Sequence, residues 1–197
     1  MHDDAPHARI DQMFDEHLRV VAESRATLTD DIASLADAVT ATLQSGGTVF
    51  AAGNGGSAAD AQHFVAELVG RFGTERQPLR AVAIGTDTAT TSAIANDFGF
   101  EQVFAREVAA LVRPGDLLVA ISTSGDSPNV VNAAVAARSG GAQVVGLTGQ
   151  GGGELAAHCD STLRVASSAT PRIQELHALV LHAVAELVEA DALHRSD

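Results

Sequence analysis

The spacing of apolar residues changes character near Gly47. Before it, Met13, Leu18, Val20 and Val21 outline a rough helical face, and DDIASLADAVTATLQSGG (30–47) repeats apolar residues at three- and four-residue steps. This predicts helices over the first 46 residues, with Thr29 or Asp30 as an N-cap and Gly46 as a stop. After Gly47, short apolar runs alternate with helical patterns. TVFAAG (48–53), RAVAIG (80–85), DLLVAISTSG (116–125), QVVGLTG (143–149) and STLRVA (161–166) predict five strands. Helices are expected over 57–71, 101–112, 128–139 and 172–190, with shorter helical pieces inside 86–100 and near 154–157.

Continuous apolar strands alternating with helices indicate an α/β fold whose parallel sheet is buried on both faces. In such a fold the strand-to-helix loops gather at the carboxyl edge of the sheet. GNGGS (53–57) and STSGDS (122–127) are both loops of this kind, which makes them candidates for a single site. The chain therefore divides into an N-terminal helical arm, 1–46, and an α/β core, 47–197, within one domain overall.

STSGDS surrounds a glycine with hydroxyls at a helix start, where backbone N–H groups and the helix dipole attract an anion. A plain serine N-cap explains the same residues equally well. GNGGS lets a ligand approach the backbone closely, or simply turns the chain tightly. Its spacing is not that of a dinucleotide fingerprint. The Asn54 amide both donates and accepts, which suits a sugar hydroxyl.

In DAQHFVAELVGR (60–71), Asp60, His63 and Glu67 share one helical stripe that Arg71 continues. His63 and Glu67 can converge on one metal ion or one substrate carbon, and an amphipathic helix also presents such a polar face. Gln174 and His182 on the last helix stand roughly 12 Å apart along its axis, so one ion joins them only if it lies off that helix. His177 points to a different face and reads as packed or solvated. Asn96 and Asp97 fall in a predicted turn, where such pairs form Asx-turns.

Composition narrows the chemistry. All 12 basic residues are arginine. Without lysine, Schiff-base aldolases, pyridoxal-phosphate enzymes and Walker-type phosphate loops are excluded. The net charge of −13 argues against nucleic acid or an anionic membrane as the main partner, while leaving room for a small phosphorylated substrate. One cysteine, Cys159, precludes an internal disulfide. The start carries no signal-peptide pattern and no apolar run is long enough to span a bilayer, so the expected compartment is the cytoplasm.

The ordered set GNGGSAADAQHF (53–64), AIANDFGFEQVFAREV (93–108), GDLLVAISTSGDS (115–127) and TPRIQE (170–175), followed by His177 and His182, resembles the bacterial D-sedoheptulose 7-phosphate isomerases of the sugar isomerase (SIS) superfamily. The resemblance implies a flavodoxin-like three-layer αβα sandwich and a homotetramer with active sites at subunit contacts. It implies one zinc ion per subunit on His63, Glu67, Gln174 and His182. Sugar contacts fall on Asn54, Gly55, Gly56, Asn96, Asp97 and Gln174, and the phosphate on Ser122, Thr123, Ser124 and Ser127, with Ser57 close by. The implied activity is aldose–ketose isomerisation of a phosphorylated heptose through an enediol, with Glu67 as base and His182 as acid.

Two positions depart from the family pattern. Asp126 stands where Asn is usual in the phosphate loop, adding a negative charge near a dianion. Thr170–Pro171 precedes Arg172 where some members carry an acidic residue. Two rivals share the scaffold: a non-catalytic SIS protein of the replication-initiator-associating type, and an isomerase for another phosphosugar such as arabinose 5-phosphate. The first has no need to keep His63, Glu67, Gln174 and His182 together; the second usually carries appended regulatory domains.

Overall fold

In the computed structural model, which describes residues 5–194, helix α1 runs unbroken from Ala5 to Gln44. The cap expected at Thr29 or Asp30 is not formed. Both residues lie inside the helix, where the Thr29 hydroxyl donates to the Arg25 carbonyl (2.8 Å). Nothing between Val21 and Ser34 breaks a helix, and Val20, Ser24, Leu28, Leu35 and Val39 keep one face buried along its length. Packing of that face outweighs the weak cap signal. The stop at Gly46 does form: its φ of +83° lets Gly46 N–H reach Leu43 O (3.1 Å) and Gly47 N–H reach Thr42 O (2.9 Å).

Five strands follow: β1 (Val49–Gly53), β2 (Ala81–Ala83), β3 (Leu117–Ile121), β4 (Gln143–Gly149) and β5 (Ser161–Val165). All pair in parallel, in the order β2-β1-β3-β4-β5. β1 and β3 are buried at every position, which is why they read as unbroken apolar runs. Alternate strand residues face two cores. Val49, Ala51, Leu117 and Leu147 pack with α1, α2 (Gly56–Val69) and α6 (Thr170–His194). Phe50, Leu118, Ala120 and Val144 pack with α3 (Thr88–Phe98), α4 (Val103–Leu111) and α5 (Pro128–Ser139). The result is the flavodoxin-like α/β sandwich, with one N-terminal helix rather than several.

Two local expectations change. α2 ends at Val69, where Gly70 N–H bonds Ala66 O (2.8 Å), so Arg71 lies beyond the helix and does not extend the Asp60–His63–Glu67 stripe. Asn96 and Asp97 occupy the last turn of α3 rather than a loop. The Asp87 carboxylate caps that helix through Ala89 and Thr90 N–H (3.2 Å each), and Gly99 at φ +90° ends it.

Strand order reverses between β1 and β3, so a crevice opens outside their carboxyl ends. The loops leaving those two strands are GNGGS and STSGDS. Topology thus brings the two segments to one place.

Candidate active site

At the crevice, Gly55 adopts φ +55° and its carbonyl accepts the N–H groups of Ala58 and Ala59 (3.1 Å each), starting α2 without any side-chain cap. Asn54 and Asn129 exchange amide hydrogen bonds, 2.8 Å in each direction, tying this loop to the first turn of α5. Beyond that exchange each amide keeps one N–H, but only Asn54 keeps a lone pair, because Asn129 Oδ1 also accepts Val130 N–H (3.0 Å). Ser57 is buried in the first turn of α2.

In the second loop, Ser122 Oγ donates to Ser127 Oγ (3.1 Å) and accepts from Gly125 N–H (3.2 Å). Ser127 occupies the N-cap position of α5 without using its side chain as a cap. The loop rests on the turn after β4: Gly149 N–H bonds Thr123 O (3.0 Å), and Leu155 N–H bonds Gly125 O (2.8 Å). Gly125, at φ +76°, lies so close to the Gly152 carbonyl that no Cβ fits. The extra charge of Asp126 is taken up locally, since Asp126 Oδ1 accepts Glu154 N–H (2.9 Å) at the start of the 154–158 turn.

The reactive groups lie on α2 and α6. His63 Nε2 and Glu67 Oε1 are 2.9 Å apart, as four-residue helical spacing allows. His182 approaches from α6, its ring edge-on to His63 with centroids 4.9 Å apart. One ligand atom from each of His63, Glu67 and His182 lies within 4.8 Å of the other two, so the three can hold a metal ion. The Phe72 ring is also in contact with His182, tilted, with centroids 5.7 Å apart. The His63 side chain is half exposed, so the cluster opens to solvent within one chain.

The donor chemistry fits a catalytic zinc: two imidazoles and a carboxylate are a recurrent three-ligand set that leaves a position open. Asp60, one turn before His63, adds a second sign of an unfinished polar site. Its Oδ2 is buried without a hydrogen-bond partner. Burial raises the Asp60 carboxyl above its usual range, and the nearby His63 partly offsets this.

Gln174 rests its amide against Gly56, so closely that a Cβ there collides with it. Of the remaining expected site residues, exposed Asn96 and Asp97 bond to each other (2.8 Å), on a helix that packs against α4. His177 is fully buried, with Nε2 3.2 Å from Thr148 O and no partner for Nδ1. Sequence reasoning did not single out Phe72, Arg76, Asn129 or Glu189. Their roles depend on contacts between distant segments and leave no local spacing signal.

The SIS domain model matches residues 12–149, which include the parallel strands β1 to β4 and the serine-rich loop at the switch point, so the chain is a SIS-domain protein. A phosphoheptose isomerase from Rhodospirillum rubrum is 55% identical over 162 residues, covering 82% of this chain and 86% of that protein. The solved phosphoheptose isomerase of Francisella tularensis superposes with a TM-score of 0.91 at 38% identity, covering 94% of this chain and 98% of that one. That of Neisseria gonorrhoeae gives 0.89 at 42% identity, covering 93% and 98%. The chain belongs to the phosphoheptose isomerase family of SIS-domain proteins.

Proposed function

We propose that this chain is a sugar-phosphate isomerase that converts D-sedoheptulose 7-phosphate to D-glycero-D-manno-heptose 7-phosphate. The observation that carries the reading is the convergence of His63 and Glu67, on the helix that leaves the 53–57 loop, with His182 on α6, in a chain similar to phosphoheptose isomerases over most of its length. An interaction platform has no use for such a cluster.

Ser122, Thr123, Ser124 and Ser127 hold the phosphate through hydroxyls and the N-terminus of α5, with Ser57 close by. Asn54, Gly55, Gly56, Asn96, Asp97 and Gln174 contact the sugar, Asn96 and Asp97 serving a site completed across a subunit contact. His63, Glu67, Gln174 and His182 would hold one zinc ion per subunit. When bound, zinc supplies Lewis acidity that polarises the substrate carbonyl and orients it.

Ketose-to-aldose conversion removes a proton from C1, passes through a cis-enediol and returns a proton to C2. Glu67 Oε1 faces His63, and the second carboxylate oxygen is the base at carbon. His182 moves the proton between O1 and O2, in the manner of general acid–base catalysis. The 53–57 loop and Phe72 wall the reacting end.

The assembly is a homotetramer in the cytoplasm. Ile10, Met13, Phe14 and Leu18 leave an exposed apolar stripe on α1, beside a groove between α1 and the start of α6. Such a stripe suits burial against another copy. Light scattering of the purified protein should give four times the chain mass, and a monomer would refute this.

The function is tested by assaying five-, six- and seven-carbon ketose phosphates, with and without added zinc. Turnover of the seven-carbon substrate, lost on chelation and restored by zinc, is the expected result. Absence of turnover with zinc bound would overturn the reading.

A further inference from the structure

A buried ion pair lies immediately outside the reactive cluster and takes no part in the chemistry assigned above. Glu189, on α6 two turns beyond His182, is almost fully buried. Its carboxylate accepts three consecutive backbone N–H groups from the segment after α2: Phe72 (2.9 Å), Gly73 (2.8 Å) and Thr74 (2.9 Å). Arg76 Nε lies 3.3 Å from the same carboxylate, and both side chains are excluded from solvent. Arg76 also reaches back to the end of α2, donating from Nη2 to Glu67 O (2.7 Å) and from Nη1 to Leu68 O (2.9 Å). One carboxylate and one guanidinium thus link the carbonyl of Glu67, the 72–74 backbone and the helix that carries His182.

The His182 ring needs such support. Metal-ligating histidines are usually oriented by a hydrogen bond from the second ring nitrogen. Among the described residues no hydrogen bond holds His182, and its aromatic contacts are with the His63 and Phe72 rings. Phe72 donates the first of the three N–H bonds to Glu189, so the carboxylate fixes the backbone from which the Phe72 ring projects. A buried ion pair is a poor way to gain stability alone, because desolvation offsets the attraction.

We propose that Glu189 and Arg76 are positioning residues for the isomerase centre: they lock residues 72–76 so that Phe72 sets the orientation of the His182 ring and Glu67 is held at a fixed offset from it. This rests on the reading that Glu67 and His182 carry the reaction. Neither Glu189 nor Arg76 touches the reacting atoms.

The test uses the full chain and the variants Glu189→Gln, Phe72→Ala, their double mutant and Arg76→Lys. In the metal-free protein, the His182 ring-proton signals, assigned with His182→Gln, carry a ring-current shift from Phe72. Phe72→Ala removes that shift, and Glu189→Gln is expected to remove it too. With zinc and heptose phosphate, Glu189→Gln and Phe72→Ala should each lower kcat by about 10- to 100-fold, the range for groups that orient a metal ligand. KM should stay within about twofold, because the phosphate and sugar contacts are untouched. The double mutant should be no slower than the slower single mutant, as expected of residues acting through one another.

If Glu189→Gln does not fold, Arg76→Lys takes its place, since it leaves the three backbone bonds to Glu189 intact. A variant that lowers Tm while keeping the ring-current shift and kcat would overturn the proposal, as would additive losses in the double mutant. If the wild type turned over no ketose phosphate, the functional reading would fail, and the ring-current measurement would still decide the coupling.

Discussion

Glu67 and His182 differ from other charged or aromatic groups on their helices in where they point. Each offers an atom to the same small volume, one from α2 and one from α6. Glu67→Gln and His182→Gln should each reduce kcat by about 10²–10⁴-fold, the usual contribution of a positioned acid or base. A steady-state isomerase assay beside an unchanged native mass checks this, and near-wild-type turnover in either variant would remove that residue from the mechanism. Gly56 gives a subtler case. Its φ is not in the left-handed region, so alanine costs nothing in backbone strain and favours the helix by up to about 1 kcal/mol. The added methyl group, however, meets the Gln174 amide. Gly56→Ala should therefore keep or raise Tm while lowering kcat/KM for heptose phosphate. Unchanged kcat/KM would show that the seat of Gln174 is immaterial.

At the scale of elements, the start of α5 separates a cap from a cradle. Ser127 occupies the N-cap position, but its hydroxyl accepts from Ser122 rather than from the helix N–H groups. Removing a true N-cap serine costs about 1 kcal/mol of stability. Ser127→Ala should cost much less than that in Tm and act chiefly on phosphosugar binding. A lost hydroxyl to a charged group is worth about 1.5–3 kcal/mol, so KM should rise by roughly 10- to 100-fold. Thermal melts and KM measured on the same preparation decide it; a large Tm loss with unchanged KM would restore the cap reading. α1 teaches the reverse lesson. Thr29 and Asp30 are residue types that favour an N-cap, and the helix passes through them because its buried face continues on both sides.

For the whole molecule, His177 ties stability to pH. It is buried behind the end of β4, and burial pushes its imidazole down from 6.5 to about 4, only partly countered by the bond to Thr148 O. Above pH 6.5 the ring is neutral in both the folded and the unfolded state. As pH falls from 6.5 towards 4, the unfolded chain takes up a proton that the folded protein refuses, and stability declines. The loss is about 1.4 kcal/mol per pH unit, or about 2 kcal/mol by pH 5. Urea unfolding at pH 7 and pH 5 should show this difference in the wild type and a smaller one in His177→Asn. Equal slopes would mean that other groups govern acid stability.

Much of this protein was legible along the chain. The five strands were legible as short apolar runs, and the stop at Gly46 from glycine's access to positive φ. The shared stripe of Asp60, His63 and Glu67 was legible from the 3.6-residue helical period, and all of these are local properties. The charge of Asp126 was legible too, though its partner at Glu154 N–H was not. Other features belong to tertiary structure alone: the Asn54–Asn129 exchange across 75 residues, the seat of Gln174 on Gly56, and the Glu189–Arg76 clamp. Sequence fixes where a side chain stands on its own helix, because hydrogen-bonded geometry repeats from turn to turn. It does not fix how far one helix slides along another, or which strands become neighbours, because the burial of many side chains decides that collectively. His63 and Glu67 were therefore a pair in the sequence, and only the packing of α6 against α2 made them, with His182, a site.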